Sequence, residues 1–230
     1  MTASVHPPHS LPNLAVRDPQ VRLSQYRTAL HWWAKIARRN RWDLCVVENT
    51  ESVEYLRRNA PLGVRWLAVE PLDDQESGRG KGVGEAKMLL EASNTLGEYT
   101  HLIKVTGRLR VLNTAAIVTR SGGLNVHDLL IPPVSNFARI DTRFFVAPPS
   151  AINEWMSEIS PMVRDELGAD FESRSWQWLV NSDQKKWNIR VMDRTPAFVG
   201  RSGTSGQSFS RIKAVSRVVL ETSLNARVTR

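Results

Sequence analysis

The apolar positions of this chain follow two rhythms. Tyr26, Leu30, Trp33 and Ala37 recur at helical spacing. Asp18-Pro19 ahead of them offers an N-cap and a first-turn proline, so the pattern predicts a helix from Pro19 to about Arg39. Ala86, Leu89, Leu90, Ser93 and Leu96 repeat that period, with Gly97 placed to close a second long helix. Leu44–Val47, Val64–Val69 and Thr100–Val105 are short, apolar and partly β-branched, which predicts strands. Residues 2–7 predict another short strand, stopped by Pro7-Pro8, and a short helix is expected from Glu51 to about Asn59. Strand and helix alternate as far as Val105, which predicts a parallel, doubly wound α/β sheet.

Beyond Asn113 the pattern loosens. Asn113 is expected to cap a helix from Thr114 to Arg120 that ends at Gly122-Gly123. Leu129–Ile131 is short and blocked by Pro132-Pro133, whereas Asp141–Val146 reads as a strand. Helices are expected from Pro149 through Trp155 and from Asp170 to Val180, with a late strand at Ile189–Met192. Residues 71–82 (PLDDQESGRGKG) and 200–208 (GRSGTSGQS) are rich in turn formers and predict loops. A last helix carries Phe209, Ile212, Val215 and Val219 on one face. No repeat or linker divides the chain, so the expected organisation is one domain over 1–207 followed by a basic helix over 208–230.

Composition narrows the class. A chain of 230 residues is long enough for one α/β domain with a proper core, and 41% hydrophobic with 23% charged residues fits a folded one. Cys45 is the single cysteine, which excludes an intrachain disulfide and a zinc site built of cysteines. No apolar run approaches the roughly 20 residues of a membrane span, and MTASVHPPHS lacks the features of a signal peptide. The expected location is cytoplasmic. Net charge is +8, and from Arg194 to Arg230 seven Arg or Lys stand against Glu221 alone. Such a tail is either a solvated helix face or a surface for nucleic acid, phospholipid headgroups or phosphorylated substrates.

Several familiar chemistries lack their signatures. There is no G-x-x-x-x-G-K-[ST], no G-x-S-x-G and no histidine pair at zinc spacing, and GRGKGVG follows a loop rather than a strand. What stands out is the stretch from Gly80 to Asn113. Glycines 80, 82 and 84 precede the second long helix, and the strand after that helix runs into Thr106-Gly107-Arg108. Open α/β sheets bind ligands beyond the carboxyl ends of their strands. Lys104, Thr106 and Arg108 therefore stand where a ligand is expected, with Lys104 and Thr106 on one side of the strand.

Taken in order, Arg22 and Tyr26, Glu48-Asn49, Gly80-Lys81-Gly82 with Gly84-Glu85, Lys104-x-Thr106-Gly107-Arg108, Asp141-x-Arg143-Phe144-Phe145 and Gly200-x-Ser202-Gly203 span most of the chain. In this order the chain resembles small bacterial GT-A-type glycosyltransferases of surface-polysaccharide biosynthesis, of the O-antigen and capsule kind. The resemblance implies a single-domain, GT-A-like (Rossmann-like) mixed sheet flanked by helices. It implies transfer of a sugar from a nucleotide-sugar donor to a glycan or lipid-linked acceptor. Glu48 and Asn49 would lie near the base or ribose, and Lys81 with Gly82 near the diphosphate or sugar. Such enzymes usually carry Asp-x-Asp at the strand end to hold a divalent metal, where this chain has Val105-Thr106-Gly107-Arg108. Hard cations want clustered carboxylates. The expectation is therefore metal-independent transfer without a cofactor, in which Lys104, Thr106, Gly107 and Arg108 meet the charge of the leaving diphosphate.

An inverting transferase needs a base for the acceptor hydroxyl. Glu172 is the candidate by order, with Asp141 and Asp170 as alternates; Asp170 also suits an N-cap, and Glu172 the first turn of its helix. Arg201, Ser202 and Gly203 belong either to a phosphate cradle ahead of a helix or to a simple connection. Trp32, Trp33, Trp66 and Trp176 fit core faces, whereas Trp155, Trp178 and Trp187 are candidates to face an acceptor sugar. The basic C-terminal helix suits peripheral contact with the anionic inner membrane face. The alternative is a basic nucleic-acid-binding protein without catalysis, although no nucleic-acid module is present.

Overall fold

The computed structural model describes residues 1–9, 11, 14–120, 122–133, 138–182, 186–203 and 205–216. Three parallel strands, β1 (Thr2–Ala3), β2 (Leu44–Glu48) and β3 (Val64–Ala68), pair in that order. Four more, β4 (Leu102–Val105), β6 (Asp128–Ile131), β7 (Phe144–Ala147) and β8 (Asn188–Val191), pair as β4-β7-β6-β8. A parallel bridge between Thr2 and Thr106 stitches the two groups together, and the Gly107 N–H donates to the Thr2 carbonyl at 2.9 Å. The strands as far as Val105 run parallel, as their alternation with helices predicted, and β7, antiparallel to β4 and β6, makes the sheet a mixed one.

Alternation along the strands sorts the helices into two layers, since successive residues point to opposite faces. Phe144 and Val146 pack with Leu23, Leu30 and Trp33 of α1 (Pro19–Asn40), Leu56 of α2 (Val53–Arg57) and Ile117 of α5 (Thr114–Arg120). Their neighbours Phe145 and Ala147 pack instead with Leu89 of α4 (Lys81–Thr95) and with Ile152 and Trp155 of α6 (Pro149–Ile159). The result is a mixed α/β architecture with helices on both faces of the sheet. Trp155 is fully buried and stacks on Trp178 of α7 (Phe171–Asn181), ring centroids 5.3 Å apart. Trp187 is buried in the same core. The expectation that these three tryptophans face an acceptor is thereby corrected.

Other departures have local causes. β1 is two residues long because the Val5 N–H turns to the Glu48 carboxylate (3.2 Å) and the Thr50 hydroxyl (3.1 Å) instead of a neighbouring strand. The predicted loop at 71–82 contains α3 (Asp74–Arg79), started by a reciprocal capping box between Asp73 and Glu76. Its polar composition concealed a helix start. α4 begins at Lys81, so Gly82 and Gly84 lie in its first turn, and Gly80, with φ 115°, is its N-cap. Gly97 does not close α4, which ends at Thr95 with Leu96, φ −109°, as its C-cap. Asn113 spends its side chain on Thr195 and Ala197 rather than capping α5.

A third sheet, partly within the predicted loop 200–208, was not expected: β5 (Leu109–Val111), β9 (Phe198–Arg201) and β10 (Ser208–Phe209), antiparallel in the order β10-β9-β5. Of the predicted C-terminal helix, residues 211–216 are helical; Val219 and the remainder of 217–230 lie outside the described residues. Among the described residues no helix is long and apolar enough to cross a membrane.

Candidate functional site

From β1 the chain turns to β2 on one side, while the Thr2–Thr106 bridge brings the end of β4 to the other. Ligands favour such a switch point in an open sheet. A cleft of about 510 Å³ opens there, bordered by Ser4, Asn49, Thr106 and Arg108. A second cavity, of about 470 Å³, is walled mainly by apolar residues such as Trp33, Leu89, Leu102 and Ile152. The first gathers most of the residues singled out in the sequence.

One wall of the cleft is cationic. Arg22 of α1 is 2% exposed; its Nε donates to the Ser4 carbonyl at 2.8 Å and its Nη1 to the Val16 carbonyl at 3.0 Å. Arg108 donates through Nη1 to the Tyr26 hydroxyl at 3.0 Å, with its guanidinium 5.4 Å from the Tyr26 ring centroid. The same hydroxyl accepts from Arg22 Nη2 at 3.3 Å and from the Ser4 N–H at 2.9 Å. Among the described residues neither guanidinium has a carboxylate partner. Burial chiefly, and the adjacent Arg108 charge, hold the Arg22 pKa below the ordinary guanidinium value. Two mutually repelling cations are thus fixed around one phenol.

Two glycines make this packing possible. A Cβ on Gly107 would lie 3.0 Å from the Tyr26 ring and closer still to the Thr2 carbonyl, and one on Gly203 would fall on the Arg108 guanidinium. Gly203 belongs to the β9–β10 connection, which with Arg201 and Ser202 borders the cleft. The polar groups of that connection are largely committed already. The Ser202 N–H donates to Gln207 O at 2.9 Å, Arg201 Nε to Gly206 O at 2.9 Å, and Gly203 O accepts from the Ala15 N–H at 2.9 Å. The turn acts more as a cover over Arg108 than as a ring of free donors.

Lys104 lies beneath the floor. Its ammonium bonds to the Thr142 carbonyl and, at 3.3 Å, to the Thr106 hydroxyl, and it pairs with the Glu85 carboxylate. An ammonium has three hydrogens, and these three acceptors occupy them. Lys104 was expected to meet the charge of a diphosphate; its donors are engaged within the fold and it does not border the cleft. Glu85, by contrast, borders the cleft. Glu48 is fully buried, accepting from the N–H groups of Val5 (3.2 Å), Thr50 (2.9 Å) and Ser52 (2.8 Å), and it organises the turn after β2 rather than the cleft. Its neighbour Asn49 does reach the cleft, and Asn49 Oδ1 is buried without a hydrogen-bond partner among the described residues.

Acids border the cleft as well. Glu172 borders the cleft and has no ion pair among the described residues. Asp170 caps α7 through the Ser173 N–H (2.9 Å) and pairs with Arg139. Asp141 is held bidentately by Arg143, at 2.7 Å to Nε and 2.5 Å to Nη2, and does not border the cleft.

The acid that sequence reading missed is Asp165. Its carboxylate lies against the start of α4, where the backbone N–H groups of Lys81 and Gly82 favour its charged form and the N-cap Gly80 has no side chain to offer, while its Oδ1 is buried without a hydrogen-bond partner among the described residues. A Cβ on Gly80 would collide with the Asp165 carboxylate, and one on Gly82 would lie 2.8 Å from Phe171 Cβ and 3.0 Å from Val163 Cγ1. The glycine-rich start of α4 is therefore a docking place for the protein's own carboxylate, not an open phosphate loop. Burial pushes the Asp165 carboxyl above its ordinary value, and Lys81 opposes that shift. The glycine spacing at 80 and 82 was the sequence signal of a close approach, but nothing local named the residue that approaches.

Among the described residues, no three His, Cys, Asp or Glu side chains are grouped to hold a metal ion. No family model and no curated protein matches the chain.

Proposed function

We propose that the chain is a GT-A-like glycosyltransferase. It moves a sugar from a nucleotide-sugar to a glycan or lipid-linked acceptor in bacterial surface-polysaccharide synthesis, without a metal and with inversion. The observation that carries this reading is the pair of guanidiniums, Arg22 and Arg108, at a sheet switch point with no ion-pair partner among the described residues, the buried Glu48 carboxylate attracting Arg22 only from a distance. Positive charge left uncompensated in a partly desolvated cleft favours an anion, and Arg matches phosphate through parallel donors. In the transfer step Glu172 takes the proton of the acceptor hydroxyl, whose oxygen bonds to the anomeric carbon. The bond from that carbon to the diphosphate oxygen breaks, the electron pair stays on the diphosphate, and Arg108 with Arg22 and Lys81 stabilises the growing charge. Asn49, beside Pro7, Leu72 and Met88, borders the part of the cleft suited to the nucleoside.

Thermal melting with UDP, GDP, dTDP and their sugar conjugates tests the reading. Ligand at 100 times Kd stabilises by about 2.7 kcal/mol, or roughly 5–11 °C for a chain of this size. A rise for one nucleoside family that persists in EDTA is the expected result. No response to any of them, together with steeply salt-dependent binding to random DNA, would replace the reading with that of a nucleic-acid-binding protein.

A further inference from the structure

Resting on the donor reading above, we infer that Glu85 and Thr106 form a sugar-hydroxyl subsite on the cleft floor, with buried Lys104 as the cation that fixes it. The Lys104–Glu85 pair is lopsided: the lysine side chain is 2% exposed and the glutamate side chain 25%. Burying an ammonium is costly unless acceptors surround it, and Lys104 has three. Glu85 Oε1 is buried beside the ammonium, and the exposed part of the glutamate side chain borders the cleft, which we assign to Oε2. Thr106 already accepts a hydrogen bond from Lys104, which leaves its hydroxyl proton to donate. The floor therefore presents one anionic acceptor and one hydroxyl donor, tied to the same ammonium.

That pair matches neighbouring hydroxyls of a sugar, one donating to Glu85 and the next accepting from Thr106. Thr106 is two residues from Arg108, and both border the cleft. A sugar on the floor thus lies beside a diphosphate held by the guanidiniums. The subsite recognises the transferred sugar, and the guanidiniums recognise what carries it.

Isothermal titration separates the two. UDP, GDP and dTDP are compared with UDP-glucose, GDP-mannose and dTDP-rhamnose, on the parent, Glu85→Gln and Thr106→Val. In the parent the matching nucleotide-sugar should bind at least tenfold more tightly than its diphosphate. Glu85→Gln should bind the diphosphate within twofold of the parent, which also shows that the cleft has folded. It should lose most of the sugar increment, roughly tenfold or more, as expected for hydrogen bonds to a charged group. Thr106→Val should lose a smaller part and decides the matter if Glu85→Gln does not fold. A parent that binds diphosphate but gains nothing from any sugar, or variants that keep the full increment, would overturn the subsite and leave the diphosphate reading standing. A parent that binds no diphosphate would overturn both.

Discussion

Replacing Arg108 with alanine should weaken ligand binding strongly while barely changing the fold. Of the guanidinium's donors, one Nη1 hydrogen is committed to Tyr26, and Nε is buried without a hydrogen-bond partner among the described residues, so donors remain for phosphate. Two hydrogen bonds from a charged donor, at about 1.5 kcal/mol each, amount to about 3 kcal/mol, or roughly a 100-fold rise in Kd. The stability side works out differently. The substitution removes one hydrogen bond to Tyr26, about 1 kcal/mol, but also relieves the repulsion that helps lower the Arg22 pKa. The net loss should stay under about 1 kcal/mol, a fall in Tm of roughly 2–4 °C or less. Calorimetric titration with the stabilising nucleoside diphosphate, beside melting of the ligand-free protein, measures both quantities. Parental affinity in Arg108→Ala would refute the phosphate assignment. A fall of more than 10 °C with ligand absent would show instead that Arg108 is chiefly a structural strut under Gly203.

Two further tests concern the start of α4. Gly78→Ala in α3 meets nothing within 4 Å and should stabilise by about 0.5–1 kcal/mol through helix propensity; Gly82→Ala should destabilise by about 1–2 kcal/mol, because crowding against Phe171 and Val163 outweighs the same gain. Denaturant melts that give both substitutions the same sign would remove the docking explanation of the glycines. Asp165→Asn should alter the dependence of stability on pH. Burial raises the Asp165 carboxyl against the pull of Lys81, with Glu166 adding a smaller push. The folded chain therefore holds this proton more tightly than the unfolded one. Its contribution is full below the unfolded value near 4 and is lost as pH rises through the folded value. The melting temperature of Asp165→Asn minus that of the parent should thus increase between pH 4 and pH 7. A difference that stays constant over that range would contradict the burial assigned to Asp165.

What could be read from the sequence was whatever depends on near neighbours. The stripe Tyr26-Leu30-Trp33-Ala37 and the Asp18-Pro19 start placed α1, and Asp18 does accept the Gln20 and Val21 N–H groups. Val105 followed by Thr106-Gly107-Arg108 correctly marked a strand end on the cleft. Hidden were the features that need a distant partner. The third sheet pairs Leu109–Val111 with Phe198–Arg201, some ninety residues apart, and each strand alone is too short to show a period. Lys104 looked like a free cation because Glu85 and Thr142 reach it from other elements.

Arg22 is the instructive case. It stands four residues before Tyr26, in phase with the buried stripe of α1, where an unpaired charge is costly. The acid one turn earlier, Asp18, has its carboxylate committed to the helix start and so does not neutralise it. A guanidinium on an apolar stripe whose adjacent acid is already engaged must be satisfied by backbone carbonyls, and Ser4 and Val16 do that here. Carbonyls fill its hydrogen bonds but leave its charge. Buried Glu48 attracts it only from a distance, and with Arg108 beside it two guanidiniums border one cleft without an ion pair among the described residues, the charge that the proposed phosphate ligand would meet.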